Sequence, residues 1–245
     1  MKAKKNIILI CMVGLLLLGL VGCNKKKDEV SPTVLWFNGT YAVLTELNGG
    51  DYKLIGGQKA DQENKEAQIQ SLEEWWGVTD RQSADESLEW VISEGHRILY
   101  ADEMESLEME GTSNFTYDEL AEIFAEYFES EEEGENLARL YTYYINNKEN
   151  GISAWDYSRA LSLLGWYYLS GYYTKEEAMD KSLEVAQIIQ EEFSSWDEFM
   201  ESYFMGYEYW NNSSSDERRA IYDNIKSRED SPYKLDWNLT LEKDW

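Results

Sequence analysis

The sequence predicts an all-α protein: a single multi-helix, bundle-like domain over residues 33–245 behind a short N-terminal tether. Three observations predict it. Apolar residues recur at spacings of three and four through most of the chain, which puts them on one face of a helix. Hydroxyl residues stand three positions before a glutamate where several such stripes begin, the pattern of a capping box. One segment, residues 154–171, is apolar nearly all round, as a helix in the middle of a bundle must be.

The chain opens with Lys2, Lys4 and Lys5, then an apolar run of about 14 residues from Ile7 to Leu20. Leu20-Val21-Gly22-Cys23 follows, and Asn24 with Lys25-Lys26-Lys27 makes the chain abruptly polar. A basic start, a short apolar core and small residues before the cut are the parts of a secretory signal. A helix needs roughly 20 apolar residues to cross a bilayer, so a transmembrane anchor is the weaker reading. Residues 20–23 resemble the lipobox of bacterial lipoproteins. That resemblance implies a lipoprotein signal peptide over residues 1–22, lipid on Cys23 and a lipidated tether over residues 23–32. It places the domain on the extracytoplasmic side of the cell membrane, anchored by acyl chains worth ~0.8 kcal/mol per buried CH₂. The alternative is a signal cut elsewhere, with an incidental cysteine.

Lys and Arg number 22 against 48 Asp and Glu, a net charge of −26 that becomes −29 once Lys2, Lys4 and Lys5 are removed. Phosphate backbones demand cations, so nucleic acid is excluded as a partner. The charge fits either plain solvation or attraction to a basic protein. Cys11 leaves with the signal and Cys23 is occupied by lipid, which leaves no disulfide. The single histidine rules out a metal site with two imidazoles. Gly49-Gly50 and Gly56-Gly57 lack the lysine and spacing of a phosphate loop, and no cofactor motif is present.

Residues 33–57 are ambiguous. Phe37, Tyr41, Leu44 and Asn48 have helical spacing, whereas Asn38-Gly39 could turn a hairpin; a helix to about residue 48 and then a Gly-rich loop is the preferred reading. Ile69, Leu72, Trp75 and Trp76 form the next stripe. Leu88, Val91, Ile92, Gly95 and Leu99 form another, with His96 at its edge. Leu120, Ile123, Phe124, Tyr127 and Phe128 follow, then Leu137, Leu140, Tyr141, Tyr144 and Ile145 within residues 134–147. The run Glu131-Glu132-Glu133 reads as a solvated loop or helix end. Thr116 with Glu119, Thr174 with Glu177, and Ser195 with Glu198 are capping boxes. The last two start helices burying Met179 to Phe193 and Trp196 to Trp210, with only Ser194 between them, which predicts a tight helical hairpin. Pro232 and Trp237-Asn238-Leu239 form an irregular end that packs back on the helices.

Trp76-Gly77-Val78, Glu94-Gly95-His96-Arg97, Ala154-Trp155-Asp156-Tyr157-Ser158-Arg159, Gly171-Tyr172, Ser195-Trp196-Asp197-Glu198-Phe199 and Gly206 occur in that order. Together they resemble the bacterial family catalogued as domain of unknown function 1266, over roughly residues 70–240. The resemblance implies a helical domain and transfers no activity, cofactor or catalytic residue. It also implies a second basic residue soon after the Asp-x-x-Arg step, where this chain has Gly165, and hence a weaker pocket for an anion.

The candidate site is a polar cluster of His96, Arg97, Asp156 and Arg159. His96 suits a general base or a structural hydrogen bond equally. Asp156 and Arg159 are three apart on an otherwise apolar segment, where an unpaired charge costs several kcal/mol. They form either a pocket for an anion or polar group, a buried ion pair, or a cap in which Ser153 partners Asp156. Trp155, Arg159, Ser162 and Trp166 share a stripe, so Trp155 and Trp166 are candidate pocket aromatics able to sandwich the arginine. Tyr141, Tyr143, Tyr144, Tyr167, Tyr168, Tyr172 and Tyr173 suit either a binding surface or the core. The expected function is a membrane-anchored, non-catalytic binding or interaction module with an envelope protein partner, possession of a basic surface being what would draw that partner to this one. The alternatives are a hydrolase-like enzyme using His96, Asp156 and Arg159, without a marked nucleophile, and an inhibitor or immunity-type protein against a basic toxin.

Overall fold

Eight of the helices start at a side chain able to accept a backbone N–H or at a break that another element caps, and those starts organise the molecule. The structure is a computed structural model and describes residues 30–148 and 151–245. The expected signal peptide, Cys23 and the expected tether up to residue 29 lie outside the described residues. Among the described residues every regular element is helical, and they build one domain.

Ser31 caps α1 (Pro32–Thr40), accepting from the N–H of Val34, and a break at Tyr41 separates it from α2 (Ala42–Leu47). The hairpin alternative fails because Asn38 is used otherwise. Its amide donates to the carbonyls of Tyr52 and Leu54, and its oxygen accepts from the Tyr41 hydroxyl at 2.5 Å. Those bonds tie down the Gly-rich loop ending in a 3₁₀ turn at Ile55–Gly57.

Asp61 caps α3 (Gln62–Trp76), and Asp80 with Ser83 forms a capping box on α4 (Arg81–Ser93). The stripe from Leu88 to Leu99 is not one helix. The chain breaks at Glu94 and resumes as α5 (Gly95–Met109), with Gly95 at φ +63°. Leu99 therefore points to solvent, 54% exposed.

The Thr116–Glu119 box starts α6 (Tyr117–Phe128), and Ser130 caps α7 (Glu131–Asn147). Glu131, Glu132 and Glu133 thus occupy a helix's first turn, where the N-terminal dipole favours negative charge. The α6–α7 pair is the true helical hairpin of the fold. With α5 it encloses a smaller core around Tyr100, Met104, Leu120, Phe124, Leu140 and Tyr141. Ile123, Tyr127 and Phe128, expected inside, are exposed, the buried face of α6 being narrowed to Leu120 and Phe124.

The main core surrounds α8 (Ser153–Ser170), of which only Trp166 and Tyr168 are not fully buried. Packed on it are α1, α3, α4, α5, α9 (Lys175–Glu192) and α10 (Trp196–Asn211). The expected hairpin between α9 and α10 gives way to this arrangement: each lies along α8, which is apolar on every face and takes partners on all sides. Thr174 and Glu177 form their box as expected. Glu198 reaches one residue further than expected, accepting from the backbone N–H and the hydroxyl of Ser194, while Ser195 caps α10.

After α11 (Asp216–Ser227) a 3₁₀ turn at Pro232–Lys234 leads the C-terminal segment back over the core. The Trp237 indole donates to the carbonyl of Phe193 at 2.8 Å and packs its ring edge-on to Trp196. No helix among the described residues is long and apolar enough to cross a membrane.

Candidate functional site

Asp156 lies one turn into α8 and is sealed from solvent. Its Oδ1 accepts from the backbone N–H of His96 and its Oδ2 from that of Arg97, both at 3.0 Å. The carboxylate of α8 thereby caps the start of α5, whose Glu94 supplies no side-chain cap. Arg159 Nη2 donates to Oδ1 at 2.6 Å and Arg97 Nη1 donates to Oδ2 at 3.2 Å. An ionised carboxylate offers about four lone-pair directions, and N–H groups take all of them. Burial pushes the Asp156 carboxyl up, but its cationic and N–H neighbours outweigh that and hold its pKa below the usual aspartate value.

Ser153 takes no part in capping with Asp156; its hydroxyl donates to Glu192, which also accepts from the Tyr157 hydroxyl. Arg97 completes the joint between α4 and α5 by donating to the carbonyls of Val91 and Ile92, the free C-terminal carbonyls of α4.

His96, Asp156 and Arg159 do converge, though not as a hydrolytic relay. His96 Nδ1 stands 3.8 Å from Asp156 Oδ1, too far for a hydrogen bond. Arg159 Nη2 donates to that same Nδ1 at 2.7 Å. A guanidinium only donates, so in this contact Nδ1 is the acceptor, which leaves Nε2 as the ring's donor. Burial presses the Arg159 pKa down against the attraction of Asp156.

Above this cluster opens a cleft of about 780 Å³. Its walls hold six of the chain's ten tryptophans: Trp75, Trp76, Trp90, Trp155, Trp166 and Trp210. His96, Arg159 and Arg218 supply the titratable and charged groups, and among the described residues no Asp or Glu lines it. The Gly loop closes one side through Gly50, Gly56 and Gly57. Gly56, at φ +68°, touches Gly165 of α8 backbone to backbone: a Cβ on Gly165 would fall 2.8 Å from Gly56 Cα. A basic side chain at 165 would displace the loop.

Arg159 is not sandwiched by Trp155 and Trp166. Its guanidinium lies 4.9 Å from the Trp155 ring centre, 5.6 Å from Trp76 and 5.8 Å from Trp90. Trp166, further along α8, lines the cleft without reaching it. The tyrosines divide: Tyr141, Tyr144, Tyr167 and Tyr173 are core residues, and Tyr143, Tyr168 and Tyr172 are half-buried.

Sequence reasoning missed Arg218, Trp90 and Trp210. Arg218 sits in the charged string Asp216-Glu217-Arg218-Arg219 and looks like helix surface. It is instead 8% exposed, stacked 4.0 Å over the Tyr207 ring, with Nη1 donating to the Tyr203 hydroxyl at 2.6 Å. Trp210, predicted on a buried stripe, is half exposed on the cleft wall, 5.6 Å from Trp155. No group of His, Cys, Asp and Glu among the described residues could hold a metal ion.

Fold and site together define a class: an all-helical protein whose central helix floors an indole-lined cleft with cationic groups. Residues 71–237 match the family described as Protein of unknown function (DUF1266), and the chain belongs to that family. No curated protein and no solved structure matches it.

Proposed function

We propose that this protein is a non-catalytic binding module that takes a small molecule into the tryptophan-lined cleft. The single observation carrying the reading is the composition of that cleft: six indoles, two arginines and no carboxylate, in a chain of net charge −26. Indoles give large, rigid contact area at little entropic cost. The hydrolase-like alternative loses support from the hydrogen bonds. Asp156 has no lone pair left to orient an imidazole, and the Nδ1 lone pair of His96 is taken by Arg159.

Equilibrium dialysis of the full chain against a small-molecule extract of its host cells tests this. One or a few compounds should be retained unchanged. Retention of none, or consumption that disappears in His96→Gln, overturns it.

We further propose that the module works as a lipoprotein, held at the membrane's outer face by acyl chains on Cys23. Labelled palmitate should enter the wild-type chain and not Cys23→Ala; equal labelling sinks the anchor. A second reading, a basic envelope protein or toxin as partner, is favoured by one feature. Met109 and Tyr127, about 80% exposed on α5 and α6, stand among acidic residues. In-cell crosslinking from Tyr127 should then capture a basic protein in a salt-sensitive manner, and capture indifferent to salt counts against it.

A further inference from the structure

We infer that the cleft's ligand is a small organic anion, a carboxylate, sulfonate or phosphate on a flat ring body, and that Arg218 is its principal charge partner. The inference rests on the cleft being the binding site and adds the chemical class of the occupant.

Arg218 is the observation that demands explanation. A guanidinium that is 8% exposed normally faces a carboxylate, since an uncompensated buried charge is costly. The other buried arginine of the cleft, Arg159, has Asp156. Arg218 forms no ion pair among the described residues; its one hydrogen bond goes to the Tyr203 hydroxyl. Its neighbour Arg219 takes Glu201 in a two-pronged bond, so acids are at hand, and Arg218 faces the cleft without one.

Two buried polar atoms of the cleft's side chains point the same way. Arg159 Nε and Trp155 Nε1 are buried N–H donors without an acceptor. His96, also on the cleft wall, accepts from Arg159 at Nδ1, which leaves Nε2 as the ring's donor. The unmet groups of Arg159 and Trp155 are both donors, so the complementary ligand is an acceptor, and beside two guanidinium groups an anion is favoured. Tyr203 lies near both arginines; burial raises its phenol pKa while Arg218 and Arg159 pull it down.

The ring body follows from the walls. Two wall rings, Trp155 and Trp210, lie tilted with centroids 5.6 Å apart; Tyr207 packs against both, at 6.0 and 6.3 Å, and Arg218 stacks on the Tyr207 face. A flat group bearing the anion would lie along these rings while its charge met Arg218.

The test is calorimetric titration of the full chain in lipid nanodiscs, with empty nanodiscs subtracted, using 2-naphthoate and its neutral isostere 2-naphthamide. Naphthoate should bind at least tenfold tighter than the amide. Arg218→Gln should erase that preference by weakening naphthoate about tenfold while leaving the amide unchanged. Equal binding of the two probes by the wild-type chain overturns the anion inference and leaves the binding-module reading standing. Binding of neither overturns both. If Arg218→Gln does not fold, as judged by far-UV circular dichroism, the wild-type pair decides alone.

Discussion

Asp156 occupies the space that a side chain on Gly95 would need: a Cβ built there falls 2.1 Å from Asp156 Oδ2. The missing side chain, the positive φ of Gly95 and the capping of the next two N–H groups by that carboxylate are one device. It joins α4 to α5 and locks both onto α8, which sets His96 and Arg159 at the cleft floor.

Asp156→Asn should therefore be severe. It removes the countercharge of Arg97 and Arg159 while keeping the shape, and breaking a buried pair costs about 3–5 kcal/mol. A urea midpoint unchanged from wild type would refute the role given to this carboxylate.

The same residue sets a pH signature. Its folded pKa lies below the usual aspartate value of 3.8, so the unfolded chain takes up the proton first as pH falls. The stability it contributes is fully present above about pH 4 and disappears as pH drops through the folded pKa. The gap in unfolding free energy between wild type and Asp156→Asn should be flat from pH 7 to about 5 and narrow below 4. A gap that widens on acidification would contradict the assignment.

Replacing the pair by apolar residues should not be neutral here. Buried ion pairs often exchange for well-packed apolar side chains without loss, but Asp156 also serves Arg97 and two backbone N–H groups. Asp156→Leu with Arg159→Met should lower the melting temperature, and an equal or higher one would reduce the cluster to a simple ion pair.

His96 Nδ1 should act as an acceptor, because Arg159 donates to it. Ring ¹⁵N shifts read this directly, and a protonated Nδ1 would show that the bond does not form.

Thr174→Ala tests a local device. Losing an N-cap hydroxyl costs about 1 kcal/mol. The backbone N–H and hydroxyl of Thr174, with Arg81, hold the Glu177 pKa at about 2. The substitution removes the hydroxyl and keeps the N–H, so it should raise that pKa part of the way toward 4.5, as followed by carboxyl ¹³C titration; no movement would mean the Thr174 hydroxyl does not bond Glu177.

Much of this protein was legible along the chain because the signals are local. The apolar girdle of residues 154–170 marked the central helix, since a helix with no polar face has nowhere else to go. Thr116 and Thr174 marked helix starts, because a cap bonds an N–H three residues away. His96, Asp156 and Arg159 could be singled out for the same reason: polar residues on apolar stripes must find partners.

What those partners are was decided only by the tertiary structure. The break at Gly95 is stabilised by a carboxylate some sixty positions away, and Arg218 reaches the cleft from a helix that reads as charged surface. Periodicity and capping depend on neighbours within one turn, so a single sequence records them. The cleft depends on how α3, α4, α8, α10 and α11 cross, and the meeting of Trp76, Trp90, Trp155 and Trp210 with two arginines leaves no mark in the spacing of any one of them.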